Sequence, residues 1–224
     1  MRTHQRSNHR SRSAGFTLAE LMVATAVMGL VGVCLAQFSL STSKVLFDST
    51  ATIHMSSDVR MFTSRISRDG LTARSFYIYR TYGSNKSIND RVRDGRTGDM
   101  LVFVWITPGV SNGSPNYDEF YYSRVVGYGR TAGDNGYGPV VRFERTFPQS
   151  ETFLTSEISV EGVLDLALGG DPPRPVVELA RGLASQNLFY NFRDSSIIIN
   201  GEILQGNDAR SVTNTYNFSV TPRG

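Results

Sequence analysis

The stretch that decides the fold runs from Phe16 to Phe38 and reads FTLAELMVATAVMGLVGVCLAQF. Its 23 residues would form a helix of about 34 Å at roughly 1.5 Å per residue. That length is enough to cross a hydrocarbon core of about 30 Å. Between Phe16 and Ser43 only one residue is charged, Glu20. The stretch therefore predicts a single membrane-spanning helix near the N-terminus.

The segment before this stretch, residues 1–15, is polar and basic. It has no acidic residue and four arginines, Arg2, Arg6, Arg10 and Arg12. Soon after the apolar stretch the only cation is Lys44, and this asymmetry predicts that the N-terminus stays in the cytoplasm while the rest crosses the membrane. Taking the four arginines from the 23 basic residues leaves 19 against 20 acidic residues. The sequence pI of about 9.1 therefore does not favour a nucleic-acid partner.

Glu20 separates three interpretations of the N-terminus. A secretory signal peptide has an apolar core of about 7–15 residues, which is shorter than this stretch, and its cleavage site would fall near Ala36. A plain single-pass anchor has the right length. Neither explains a carboxylate in an apolar segment, which is costly in lipid and normally has a partner. Cleavage between Gly15 and Phe16 would supply one, because a new amine at Phe16 of one chain can pair with Glu20 of a neighbouring chain.

Residues 15–23 read GFTLAELMV and resemble the processing signal of type IV prepilins and type II secretion pseudopilins. The resemblance implies that prepilin peptidase cuts between Gly15 and Phe16 and methylates Phe16. It also implies that Glu20 is the glutamate used in assembly. Ala19 replaces a larger aliphatic residue of the family pattern, and the apolar stretch contains no proline. The missing proline favours a minor subunit over a major one.

The helix is expected to continue to about residue 70. Met55, Val59, Phe62 and Ile66 recur at the spacing of one helical face. Asp69-Gly70 is a plausible weakening or end point of the helix, although Leu71–Arg74 could add a turn. Beyond residue 75, short apolar runs alternate with segments rich in Gly, Asn, Asp, Ser and Pro, which is typical of antiparallel strands. The predicted strands are Phe76–Tyr79, Met100–Ile106, Glu119–Tyr128, Val140–Arg145, Glu157–Val163, Val176–Leu179, Leu188–Phe192, Ile197–Ile199 and Thr215–Val220.

These patterns predict an α+β chain with a pilin-like fold, in which a long N-terminal helix with an apolar first half packs on an antiparallel sheet. The expected organisation is a removable leader over 1–15, a membrane or fibre-core helix over 16–40, a helix continuation over 41–74 and a β-rich extracytoplasmic head over 75–224. The large head resembles that of a J-type pseudopilin or a PilW-type minor pilin.

Most catalytic patterns are absent from the sequence. Paired carboxylates stay possible among Asp118, Glu119, Glu144 and Glu157, although solvated strand ends and loops are the favoured interpretation. Neither lysine follows a glycine, so there is no phosphate-binding loop, and Gly127-Tyr128-Gly129 is expected to be a turn or bulge. With His54 the one histidine beyond the leader, a nucleophile–histidine pair is improbable. The turns at 133–136 and 169–171 lack the ligand density of a calcium loop. We therefore expect no catalytic residue, metal or cofactor.

Aromatic residues and arginines cluster around residues 74–82 and 117–124. They could stack on a nucleic acid or a glycan, but cross-strand and core packing is the favoured interpretation.

The expected function is a minor pilin or pseudopilin that is a structural subunit and not an enzyme. Its expected partners are prepilin peptidase, other pilin or pseudopilin subunits bound through the N-terminal helix, and the inner-membrane assembly platform. The expected location is the bacterial inner membrane, with a single span and a cytoplasmic N-terminus, and then a periplasmic or cell-surface fibre. The alternative is a binding protein or enzyme with an extracytoplasmic β-domain behind an ordinary signal or anchor.

Overall fold

A computed structural model describes residues 17–111, 114–131, 138–148, 153–170, 172–182, 187–207 and 210–222. The chain forms two compact units, Met1–Ser49 and Thr50–Gly224. Helix α1 spans Leu18–Thr72, close to the predicted range of about 16 to 70. The first unit therefore consists, in its described part, of the apolar half of this helix.

The second unit holds the rest of α1, a short helix and one antiparallel sheet of nine strands. The short helix, α2, spans Val160–Leu168. Along the sheet the order is β1-β3-β4-β5-β6-β8-β7-β2, and β9 pairs with β8. The strands are β1 Ser75–Tyr79, β2 Thr97–Gly98, β3 Met100–Ser111, β4 Ser114–Arg130, β5 Gly138–Thr146, β6 Arg174–Gly182, β7 Phe189–Phe192, β8 Ser196–Asn207 and β9 Arg210–Val220. This architecture confirms the predicted α+β class.

Successive side chains of β3 are buried alternately in two different hydrophobic cores, one on each face of the sheet. Leu101 and Phe103 are buried in a cluster with Phe62 and Ile66 of α1. The intervening residues, such as Val102, are buried in a second cluster with residues of α2. Because successive side chains of a strand point to opposite faces, α1 covers one face of the sheet and α2 covers the other. The predicted apolar face of α1 is confirmed at Val59, Phe62 and Ile66.

One predicted strand is wrong. Residues Glu157–Val163 were expected to be extended, but helix α2 begins at Val160 within this range. The Ser159 side chain accepts a hydrogen bond from the Gly162 backbone nitrogen and caps the helix. Helix α2 buries Val163 and Leu164 against the sheet. All the other predicted strands overlap observed strands.

The expected turn or bulge at Gly127-Tyr128-Gly129 is also wrong. These residues lie in regular pairing within β4, where Gly127 is opposite Val102 on one side and Phe143 on the other. A Cβ atom on Gly127 would overlap the ring of Phe143, and one on Gly129 would overlap the ring of Tyr82. The glycines are therefore required by the close approach of two aromatic rings.

Candidate functional site

Glu20 lies in the first turn of α1 and is bound by Thr17, the residue before the helix. The backbone nitrogen of Thr17 donates to Glu20 Oε2 at 2.9 Å, and the Thr17 hydroxyl donates to the same oxygen at 3.0 Å. In return the Glu20 backbone nitrogen donates to Thr17 Oγ1 at 3.3 Å. This reciprocal arrangement is a capping box, which satisfies donors that a helix N-terminus otherwise leaves open.

The capping box changes one expectation from the sequence. Glu20 was expected to lack a partner in its own chain, because no cation lies nearby. Its partner is the neutral Thr17, a residue that was not among the expected site residues. The signal was present, since a threonine three residues before a glutamate ahead of an apolar run is the sequence pattern of a capping box.

Among the described residues, Glu20 Oε1 has no hydrogen bond, because both donors from Thr17 go to Oε2. The predicted cleavage-site residues Gly15 and Phe16 lie outside the described residues, as do the leader arginines Arg2, Arg6, Arg10 and Arg12. Phe16 directly precedes Thr17 in the chain. An amine created at Phe16 would thus be one residue from the nitrogen that already donates to Glu20.

The first half of α1 exposes a continuous apolar surface. Leu18 is 80% exposed, Met28 is 77% exposed and Phe38 is 71% exposed. An 18-residue window of the helix has a mean hydropathy of 2.2, and none of it is buried. By length and composition, α1 is the one described helix that can cross a membrane. A surface this apolar is stable in lipid or against other apolar helices and unfavourable in water.

In the head, a charge network around the buried Asp69 joins the end of α1 to the sheet. Asp69 is only 1% exposed, and its Oδ2 accepts from the Tyr128 hydroxyl at 2.7 Å and from Arg142 Nη2 at 3.2 Å. Glu144 accepts from Arg142 at 2.6 Å and from Arg124 at 2.7 Å. Burial, and then the hydrogen bond to Asp69, raise the pKa of the Tyr128 hydroxyl. Helix α1 continues past Asp69 to Thr72, and Asp69 anchors these last turns to the sheet.

A second network joins α2 to the opposite face of the sheet. Glu161 is buried, and its Oε1 accepts from Arg91 Nε at 2.6 Å and from the Tyr79 hydroxyl at 3.0 Å. The Arg91 guanidinium also lies 4.3 Å from the ring centre of Tyr77. Burial alone would raise the pKa of Glu161, but the hydrogen bonds and charge of Arg91 outweigh it and lower that pKa. Each network therefore ties one helix of the head to the sheet.

The aromatic residues that could stack on a nucleic acid or a glycan are divided between the buried core and the exposed surface. Tyr79 is 0% exposed and Tyr122 is 7% exposed, while Tyr117 is 70% exposed. Arg124 lies 4.6 Å from the ring centre of Trp105 and is paired with Glu144. The preference for core packing is therefore confirmed at Tyr79 and Tyr122.

Among the described residues, no three His, Cys, Asp or Glu side chains are grouped to hold a metal ion. The turn at 133–136 and Asp171 lie outside the described residues. His54 is exposed on α1. The candidate functional site is therefore the start of α1, with Thr17, Glu20 and the apolar surface that follows.

Comparison with known proteins identifies this same segment. Residues 10–33 match the family model described as the prokaryotic N-terminal methylation motif. No curated protein and no solved structure matches the chain significantly. The matched range includes Glu20 and the Gly15-Phe16 pair. The N-terminal segment thus carries a prokaryotic N-terminal methylation motif, which supports a type IV pilin-like protein.

Proposed function

We propose that this chain is a minor pilin or pseudopilin, a structural subunit of a type IV pilus-like or type II secretion fibre. The observation that carries the proposal is the match to the methylation motif at residues 10–33, where a carboxylate held at the start of an apolar helix follows a basic segment. In this proposal residues 1–15 are a leader, 16–40 lie in the membrane or fibre core, 41–74 pack on the head and 75–224 form the extracytoplasmic head.

Maturation would proceed in the bacterial inner membrane. The arginines of the leader hold the N-terminus in the cytoplasm, and α1 crosses the bilayer once. Prepilin peptidase then cuts between Gly15 and Phe16 and methylates the new amine of Phe16. Extraction by the inner-membrane assembly platform moves the helix into a periplasmic or cell-surface fibre. There its apolar surface packs against the helices of other subunits instead of lipid.

Glu20 sets the register between neighbouring helices in this proposal. Within its own chain the carboxylate is already turned toward the helix N-terminus by Thr17, through Oε2. The Oε1 atom is left to accept from the Phe16 amine of an adjacent subunit. An amine and a carboxylate in an apolar fibre core must pair with good geometry, because breaking such a pair leaves a buried charge. Register is therefore determined by where the two groups meet.

The mature N-terminus tests the proposal. The chain is expressed with an active prepilin peptidase and, in parallel, with an inactive one. Intact mass and N-terminal sequencing should give a chain that starts at Phe16 and carries one extra methyl group only when the peptidase is active. The Gly15→Val variant should retain the leader, whereas the Gly15→Ala variant, with its smaller side chain, should be processed more readily than Gly15→Val. Cleavage near Ala36, or a leader retained despite an active peptidase, would instead support an ordinary signal or anchor.

A further inference from the structure

Strand β1 stands at one end of the strand order, and no described strand is hydrogen-bonded to its outer side, although β2 and β7 lie close to it. Over Ser75–Tyr77 it pairs with β3 alone. Contacts on its other side begin only at Ile78, whose carbonyl accepts from the Val92 nitrogen at 2.7 Å, and at Tyr79, which forms a bridge with Arg91. The first three residues of β1 thus present an open strand edge among the residues that the structure describes.

This edge lacks the features that usually prevent pairing with another strand. Its sequence, SFYIY, contains neither proline nor lysine and consists mainly of aromatic and β-branched residues that favour strands. The hairpin formed by β3 and β4, by contrast, carries Pro108 and Pro115 near its end, and proline cannot donate to a strand ladder. An unprotected edge of this kind is a template for strand addition.

A cleft of about 580 Å³ lies beside the open edge. Phe76, Tyr77 and Ile78 line it, and Asn191, Asp194 and Ser195, around the turn between β7 and β8, also contribute. The cleft therefore offers backbone groups and side-chain contacts to a short extended chain.

The charge of the cleft indicates the chemistry of its occupant. Arg74, Arg91 and Arg93 all line it. Arg91 is bound by Glu161, whereas Arg74 and Arg93 are exposed and form no ion pair with any described residue. The single acidic lining residue, Asp194, accepts a hydrogen bond from Asn191 Nδ2 at 2.6 Å. Two arginines without a described acidic partner at an open edge favour carboxylates, which accept charge-assisted hydrogen bonds.

We propose that β1 and this cleft bind an extended, acidic peptide segment of a partner protein. The segment adds as a strand beside Ser75–Tyr77, and its carboxylates pair with Arg74 and Arg93. Strand addition supplies affinity through the backbone, and the arginines supply specificity through charge. The inference depends on the head alone and does not require the proposed maturation of the N-terminus.

Synthetic peptides test this site on the full chain in detergent micelles, with fluorescence anisotropy as the readout. The probe is a labelled, blocked peptide of about six residues, the usual strand length, with valine alternating with glutamate. Its matched control has glutamine in place of glutamate. Two further probes carry backbone N-methyl groups on alternate residues, one set on each edge of the extended peptide.

The acidic peptide is expected to bind about tenfold or more tightly than the glutamine peptide. Methylation of one edge should abolish binding and methylation of the other should not, because only one edge pairs with β1. The double variant Arg74→Gln/Arg93→Gln should weaken binding about tenfold or more, whereas Arg80→Gln, an exposed arginine outside the cleft, should not. Thermal melting confirms that all variants are folded.

Three results would overturn the proposal: no peptide binding, equal binding of the acidic and glutamine peptides, or equal binding of both methylated peptides. Self-association of the chain that Arg74→Gln/Arg93→Gln abolishes would also overturn it, since the cleft would then belong to a second copy.

Discussion

At the scale of single residues, Glu20 combines two physical roles that one substitution can separate. Its carboxylate closes the capping box with Thr17, and in the proposed function its charge pairs with a neighbouring amine. Glutamine can close a capping box as glutamate does, but it carries no charge. Alanine removes both roles.

We expect Glu20→Gln and Glu20→Ala to be inserted normally and both to be lost from fibres, because register requires the charge. The measurement is the fraction of each variant recovered in sheared fibres relative to the membrane fraction. Thr17→Ser, which keeps a hydroxyl at the cap, is the matched control and should be incorporated normally. Incorporation of Glu20→Gln at the wild-type level would show that the cap, and not the charge, is what assembly needs.

Two buried tyrosines in the core under α1 provide a matched pair for stability. The hydroxyl of Tyr128 donates to Asp69 at 2.7 Å, whereas the buried hydroxyl of Tyr216 has no partner among the described residues. Removing a hydroxyl that satisfies a buried carboxylate costs about 1.5–3 kcal/mol, whereas removing an unsatisfied one is close to neutral. We therefore expect Tyr128→Phe to lower the free energy of unfolding by about that amount and Tyr216→Phe to leave it unchanged or slightly higher. Denaturant unfolding of the two variants decides this, and an equal loss in both would contradict the assignment.

At the scale of elements, α2 is fixed to the sheet by an ion pair that responds to pH. The pKa of Glu161 is lowered from its ordinary value of 4.5. A carboxylate whose pKa is lowered by folding stabilises the folded state above its ordinary pKa, and this stability is lost as the pH falls through the folded-state value. The contact of α2 with the sheet should therefore weaken below pH 4.5.

Glu161→Gln tests this coupling. At neutral pH the variant should be less stable by about 1.5–3 kcal/mol, because the partly exposed Arg91 loses its hydrogen bonds to a charged acceptor. Below pH 4.5 its melting temperature should fall less than that of the wild type, since position 161 no longer takes up a proton. Glu157→Gln, at an exposed carboxylate just before α2, is the control and should follow the wild-type curve. Parallel curves for Glu161→Gln and the wild type would contradict the ion-pair assignment.

The elements that the sequence predicted are those with a strong local signal. The apolar run and the recurrence of Val59, Phe62 and Ile66 predicted α1, and alternating runs predicted most strands. Helix α2 was missed because Ile158, Val160 and Val163 suggested a strand, although the apolar residues Val160, Val163, Leu164 and Ala167 and the cap at Ser159 already had helical spacing.

The charge networks could not have been predicted from local patterns. Asp69 and Arg142 are 73 positions apart, and Arg91 and Glu161 are 70 positions apart. Their pairing depends on which strands become neighbours in the sheet. The periodicity of a sequence indicates where the strands are, but it does not determine their order in the sheet. The same holds for the two glycines of β4, whose requirement comes from rings carried by other segments. At the start of α1, by contrast, the hydrogen bonds between Thr17 and Glu20 could be predicted from the sequence, because the two residues of a capping box are only three positions apart.

At the scale of the whole molecule, the two compact units place the boundary of the folded head within α1, at Thr50. Every core residue whose burial the structure describes lies from Phe62 onward, so the C-terminal part of α1 is structurally part of the head. The β-rich part alone, residues 75–224, would lack Phe62, Ile66 and Asp69, which lie in the helix continuation that the sequence predicts to pack on it.

We expect the fragment 50–224 to be soluble and to unfold cooperatively, and the fragment 75–224 not to fold. Loss of Phe62 and Ile66 removes about 1.5–3 kcal/mol of burial for each side chain. Loss of Asp69 removes the charged acceptor of the Tyr128 hydroxyl and of the Arg142 guanidinium, at about 1.5–3 kcal/mol for each hydrogen bond to a charged group. Together these losses match the 5–15 kcal/mol that stabilises a typical domain. Circular dichroism melts and binding of a hydrophobic dye to the two fragments, purified with the same tag, provide the measurement. A cooperative melt of 75–224 at the temperature of 50–224 would show that the sheet is stable without the helix that covers it.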